Sequence, residues 1–118
     1  MSTLLLAASD LMAGERVRSA ATHLGIEVRA VAPARLLEAL RADVPDILVC
    51  DLDQGREPML ADLETARAED ALPRTVVGYY SHVDTALGDA ARAVGCTPVR
   101  RGRFWSDLPA YLEPAPPA

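Results

Sequence analysis

The sequence predicts an α/β domain built on a five-stranded parallel sheet of order 2-1-3-4-5, with helices on both faces. Three observations carry this. Strand-like and helix-like patterns alternate five times along the 118 residues, and such alternation with short loops builds parallel sheets. Two strand candidates, "STLLLAA" and "DILVCD", are apolar nearly throughout, as strands covered on both faces must be. The second and fifth candidates have the character of sheet edges. "IEVRAV" alternates between an apolar and a charged side, and "CTPVR" contains Pro98, which cannot donate to a central ladder.

The elements follow in order. After the first apolar run come Ser9 and Asp10, and Asp10 is the natural N-cap of the helix that follows. Ala13, Val17, Ala20 and Leu24 mark that helix's apolar side, and Gly25 ends it. In the second strand Ile26, Val28 and Ala30 share one face, with Glu27 and Arg29 on the other. Pro33 opens a short helix with Leu36, Leu37 and Leu40 on one side. After the third strand, residues 57–69 read as a helix carrying Leu60, Leu63 and Ala66 or Arg67. "RTVVGYY" is the fourth strand, and its interior Gly78 predicts a close approach. Val83, Leu87, Ala90, Ala91 and Val94 mark the next helix, closed by Gly95. "RFWSDLPAYL" reads as a last helical stretch, with Pro109 an awkward interior residue. Residues 1–113 form the single domain, and 114–118 are read as a disordered tail. This arrangement is the flavodoxin-like doubly wound fold.

Composition excludes several functions. The formal net charge is −5 and no long basic run occurs, which argues against nucleic acid as a partner and against an anionic membrane surface. All twelve basic residues are arginine, so no chemistry here can use a lysine ammonium. Cys50 and Cys96 match no metal-ligand spacing, and Cys50 reads as a small buried hydrophobe. The first residues lack the basic flank and the length of a signal peptide or a membrane span, so a cytoplasmic location is expected. His23 and His82 lie in different elements, and neither is assigned a metal or catalytic role.

In doubly wound sheets, sites form beyond the carboxyl ends of the strands, at the crevice where strand order reverses. The first and third strands flank it. Asp51 ends the third strand, Asp53 follows, and Ser9 and Asp10 follow the first.

Here the chain resembles the response-regulator receiver domains of two-component signalling, the CheY-like family, over almost its whole length. "PDILVCDLD" is similar to the receiver's third strand, which ends in the phosphate-accepting aspartate; that match falls on Asp51. "EALRADVPD" resembles the helix and loop before it, and "AARAVGCTPVRRGRF" the fourth helix, glycine turn and fifth strand. The resemblance implies three further parts: an acidic pair after the first strand that helps hold magnesium, a serine or threonine ending the fourth strand, and a lysine ending the fifth. Phosphoryl transfer needs such cations to stabilise its charge.

The chain departs from this pattern. Ala7, Ala8 and Ser9 stand where the acidic pair belongs, and only Asp10 remains, one or two places late. Alanine offers magnesium no oxygen ligand. Arg101 or Arg103 replaces the lysine, with Gly102 where a proline is usual. Ser81 or, one residue earlier, Tyr80 takes the hydroxyl position. The pattern is that of a degenerate pseudo-receiver, for which no cofactor is expected, magnesium included. Asp51, Ser81 and Arg101 are the candidate phosphoacceptor-like and switch-like residues, and Asp10 and Asp53 a candidate acidic pocket.

Each residue also has a structural reading. Asp51 can pair with Arg101 across the crevice, Asp53 can serve a turn, and Ser81 can cap the next helix. Two functional alternatives stand beside the pseudo-receiver. One is a working phosphoacceptor receiver using Asp51. The other is a metal-dependent enzyme using Asp51 and Asp53, since "CDLDQG" resembles the acidic motif of Toprim domains and, more faintly, that of haloacid dehalogenase-type phosphatases. Against the Toprim reading, Glu15 lies inside the first helix instead of directly after the first strand; against the dehalogenase reading, the acids follow the third strand instead of the first, and lysine is missing. The expected work is therefore protein–protein interaction, without catalysis. The last strand and helix are the candidate surface for a protein partner or self-association, through Arg103, Trp105 and Tyr111, because Trp and Arg are enriched at interface hot spots.

Overall fold

The computed structural model describes residues 2–81 and 85–113. The strands are β1 (Ser2–Ala7), β2 (Ile26–Val31), β3 (Ile47–Asp51), β4 (Thr75–Tyr80) and β5 (Thr97–Arg100). They form one parallel sheet of order β2-β1-β3-β4-β5. The expected topology is therefore observed, with the alternating strand and the proline-containing strand at the two edges.

The helices are α1 (Leu11–His23), α2 (Leu36–Ala42, entered through a 3-10 turn at Pro33–Arg35), α3 (Arg56–Ala68), α4 (Thr85–Ala93), α5 (Arg101–Ser106) and α6 (Leu108–Tyr111). Strand pleating divides the core into two layers. Leu4 and Leu6 of β1 join Ile47, Val49, Val77, Tyr79 and Phe104 on the side of α1, α5 and α6. Leu5 and Ala7 join Leu48, Cys50, Met59, Leu63 and Leu87 on the side of α2, α3 and α4. All five residues of β3 are buried, which places Asp51 at the dry end of the most central strand.

Three details differ from the sequence reading. α1 buries Ala13, Gly14, Val17 and Ala21, while Leu24 is 43% exposed. The helix ends at His23, so its buried stripe turns away before reaching Leu24. α3 packs through Met59, Leu63 and Ala66, with Leu60 only partly buried. The last helix is two helices, broken at Asp107, and Pro109 sits in the first turn of the second. A proline there lacks only an N–H that would have had no partner anyway. Val83, His82 and the tail 114–118 lie outside the described residues.

Gly78 has the close approach expected of it. A Cβ built there would lie 2.6 Å from Leu52 Cδ1 and 2.8 Å from Cys96 Sγ. Leu52, the residue between the two acids, thus packs flat on β4 and fixes the loop that carries Asp53. Burial pushes the Cys50 thiol well above its ordinary value and that of Cys96 to about 12, so both cysteines behave as small core residues.

Candidate functional site

The site is assembled where β3, β4 and β5 end. Asp51 is the last residue of β3 and lies opposite Tyr79 of β4. The loop after β3 is pinned by backbone bonds: Leu52 N–H donates to the Tyr79 carbonyl (2.9 Å), and Gln54 N–H to the Asp51 carbonyl (3.2 Å). Gly55 then adopts φ +87° before α3 starts, a backbone angle that a side chain would strain. Gln54 also closes the crevice laterally, since its Oε1 accepts from Ser9 N–H at 2.7 Å.

Arg101, the first residue of α5, reaches into this corner. Its Nη2 donates to both Asp51 oxygens at 3.0 Å. Its Nε donates to Asp53 Oδ2 at 3.2 Å and to Ser81 Oγ at 3.3 Å. Ser81 donates its hydroxyl to Asp53 Oδ2 at 2.6 Å and its N–H to Asp53 Oδ1 at 3.1 Å. Asp53 N–H donates to Asp51 Oδ1 at 3.0 Å. Two carboxylates, one hydroxyl and one guanidinium therefore satisfy one another.

The side chains that meet in the corner are Ser81 and Arg101. Ser81 is the hydroxyl in the corner, and Tyr80 belongs to β4. Arg101 is the cation, while Arg103 lies on the exposed side of α5 and faces Asp107 at 3.9 Å. Asp53, read from sequence as a candidate pocket acid or a turn residue, is the hub that joins Ser81 to Arg101. Asp10 is the N-cap of α1, accepting from Met12 N–H at 2.8 Å. Its carboxylate thus serves the helix end. An open cleft of about 580 Å³ lies beside the network, lined by Leu52, Asp53, Gln54, Arg56, Ser81 and Arg101.

Burial pushes the Asp51 carboxyl above its ordinary value, opposed by the Asp53 N–H and the Arg101 charge. Its side chain is 1% exposed, and a desolvated carboxylate favours its neutral form. Burial acts on Asp53 in the same sense, but the two Ser81 donors and Arg101 together outweigh it, and its carboxyl lies below the ordinary value. The two acids are thus pushed apart by their surroundings.

Tyr79 carried no signal in the sequence, yet it is the floor of the site. The Arg101 guanidinium carbon lies 4.8 Å from its ring centroid. Beneath, the ring stacks on Phe104 at 4.7 Å and meets Trp105 at 5.4 Å. Arg16 of α1 covers the outer side of Trp105 at 4.4 Å. Trp105 and Tyr111 are both partly buried against this layer. The Tyr79 hydroxyl is buried without a hydrogen-bond partner among the described residues, and burial raises its pKa strongly. Tyr79→Phe is therefore expected to stabilise the domain, by about 1 kcal/mol. Thermal unfolding checks this; a lower melting temperature would mean that the hydroxyl is satisfied in solution.

Every oxygen of the two site carboxylates already has a donor, and the third acid is engaged elsewhere. Both Asp51 oxygens are held by Arg101, both Asp53 oxygens are engaged by Ser81 or Arg101, and Asp10 caps a helix. Among the described residues no group of three or more His, Cys, Asp or Glu residues is placed to hold a metal.

By sequence, no family model and no curated protein matches the chain. By structure, the matches are extensive. The chemotaxis response regulator CheY4 of Vibrio cholerae superposes with a TM-score of 0.71 at 14% identity, covering 95% of this chain and 99% of that one. This is the receiver fold. The NarL signal receiver domain of Mycobacterium tuberculosis matches with a TM-score of 0.76 at 16% identity, over 92% of this chain and 90% of its own. The response regulator RPA3017, in red light signalling of R. palustris, matches with a TM-score of 0.70 at 13% identity, over 93% and 90%. On this receiver fold, Asp51, Ser81 and Arg101 occupy the ends of the third and fourth strands and the start of the helix after the fifth. No helix among the described residues is long and apolar enough to cross a membrane.

Proposed function

We propose that the chain is a pseudo-receiver: a signalling module of bacterial regulation that works in the cytoplasm through protein contacts, without catalysis and without magnesium-dependent phosphorylation. One observation carries the reading. The Arg101 guanidinium holds both oxygens of Asp51 at 3.0 Å, so the protein supplies its own cation to the position that would accept a phosphoryl group. Arginine, planar and permanently charged, suits such a standing contact to two carboxylates. The candidate partner surface is the last strand with α5, where Arg103 is exposed and Trp105 partly so.

A phosphoacceptor receiver is the second reading, supported by the convergence of Asp51, Ser81 and Arg101 in one corner. The Toprim-like enzyme reading has only Asp51 and Asp53, both bonded to Arg101. An amide NMR titration separates the three. With magnesium, and then with magnesium plus beryllofluoride, the pseudo-receiver is expected to show no saturable shifts around Asp51, Ser81 and β5. Saturable shifts in the second titration would establish a phosphoryl switch instead. Shifts with magnesium alone, centred on Asp51 and Asp53, would favour the metal enzyme.

A further inference from the structure

The first turn of α1 is apolar and points outward. Leu11 is 86% and Met12 71% exposed, the two most exposed large hydrophobic side chains among the described residues. Helix phase puts them there, since the stripe of α1 that meets the core runs through Ala13, Gly14, Val17 and Ala21. A first turn ordinarily favours acids, which suit the helix dipole; this one carries none. At the same end of the sheet lies an apolar groove of about 440 Å³, lined by Pro33, Ala34, Gly55, Pro58 and Met59, with Asp62 as its one charged residue. A Cβ built on Gly55 would meet nothing within 4 Å, so that wall is bare backbone beside open space. The connection from β1 to α1 runs between the two features. Ala8 N–H donates to the Val31 carbonyl at 3.1 Å, and Ser9 N–H donates to Gln54 at 2.7 Å. The groove thus lies on the side of α2 and α3, and the Leu11–Met12 knob on the side of α1.

We propose that this end of the sheet is a self-association surface, in which the Leu11–Met12 knob of one copy enters the groove of a second copy and receives that copy's knob in its own. A two-fold axis lying in the end surface, between knob and groove, exchanges the two, so the same contact is made twice. A second copy fits because both halves of the match stand side by side on one chain. Their charged flanks match as well. Arg16 stands one turn after Met12, and Asp62 one turn after Pro58, so the exchange sets a cation beside an acid. Two prolines keep the groove walls rigid, which lowers the ordering cost of binding, while a methionine adapts to the groove it enters. A contact of this extent buries on the order of 1,000 Å² in total, below the standard size, so the dimer is weak and transient. It uses none of Arg103, Trp105 and Tyr111 and is a second surface beside the partner face.

Sedimentation velocity of the full chain, from about 1 µM to about 1 mM, reads the association over a range that brackets weak interfaces. The unmodified chain is expected to form a dimer at the upper end and no larger species, because the exchange closes on itself. The knob variant carries Leu11→Glu and Met12→Gln. The groove variant carries Ala34→Arg, which puts a long side chain into the groove. Each is expected to weaken association by about tenfold or more, with an unchanged melting temperature, since all three positions are exposed. A mixture then separates docking from general stickiness. The knob variant keeps its groove and the groove variant keeps its knob, so one of the two contacts can form between them. With the knob variant isotope-labelled, unlabelled groove variant is expected to shift the amides of Ala34, Gly55 and Met59, and unlabelled knob variant is expected to leave them in place. Arg103→Glu should leave the dimer unchanged. A chain that stays monomeric throughout would overturn the proposal and give this face to a different protein. A dimer that survives the knob variant, a mixture without shifts in the groove, or a dimer lost with Arg103→Glu would overturn it equally.

Discussion

Replacing Arg101 by methionine is expected to destabilise the domain by about 3 kcal/mol at pH 7.5, the lower end of the range for breaking a buried ion pair, and by less at pH 5. Methionine is apolar and similar in length to the arginine stem, so the loss is mainly electrostatic, the guanidinium over the Tyr79 ring included. It leaves Asp51, 1% exposed, as a buried charge with the Asp53 N–H as its remaining donor. The lower end of the range applies because the Arg101 side chain is itself 30% exposed. The pH dependence follows from the direction of the Asp51 shift. Its native pKa already lies above the ordinary carboxylate value, and losing Arg101 raises it further. Between the unfolded and native values the folded chain keeps a proton that the unfolded chain has released. Stability therefore falls as pH rises through that window and is lowest above the native value. Asp53 has the opposite sign: its lowered native value adds stability above the unfolded pKa that is lost as pH falls through the native one. In the variant it still has the two Ser81 donors. Urea unfolding at the two pH values measures the difference. Equal losses at both would mean that Asp51 is not the group left stranded. Arg101→Lys should recover part of the loss, since an ammonium matches Asp51 but cannot also fork to Asp53 and Ser81.

The pairing of Asp51 with Arg101 was legible in the sequence because strand ends in a doubly wound sheet converge. An acid ending the third strand and an arginine just past the fifth have few other places to go. The topology was legible for the same reason: uninterrupted apolar runs mark central strands, and Glu27, Arg29 and Pro98 mark edges. The hub role of Asp53 was not. A loop acid two residues past a strand has no periodicity, and its direction is set by Leu52 packing against Gly78, a contact between elements far apart in the chain. Tyr79 was missed because an aromatic in a buried strand reads as filler; nothing local says that a guanidinium will lie on it. The break at Asp107 was half legible. Pro109 signalled a conflict, and the conflict is resolved by starting a new helix at the residue before it. The shift of α1's buried face to Ala21 came from helix phase, where one residue of error turns a side chain by about 100°.

Phe104→Ala is the substitution expected to cost most in the core, about 3–5 kcal/mol. Phe104 is fully buried and is the ring to which Tyr79, Trp105 and Tyr111 all pack, at centroid distances of 4.7, 4.9 and 5.9 Å. Removing it leaves a hole bounded by three large rings and by β-strand side chains that cannot move inward, so little of the cavity can close. The loss is a large fraction of the ~5–15 kcal/mol that holds an ordinary domain together. The shape of the transition is informative as well. α5 and α6 are too short to survive detached, yet Phe104 shares one continuous core layer with Leu4, Leu6, Val49 and Val77. The variant is therefore expected to unfold in a single step, with a lower urea midpoint and an unchanged slope, because the surface exposed on unfolding is the same. A shallower slope or an early phase seen only by Trp105 would mean that the last two helices detach first. In that case the carboxylate end of the network, and not the aromatic layer, would be what keeps α5 on the sheet.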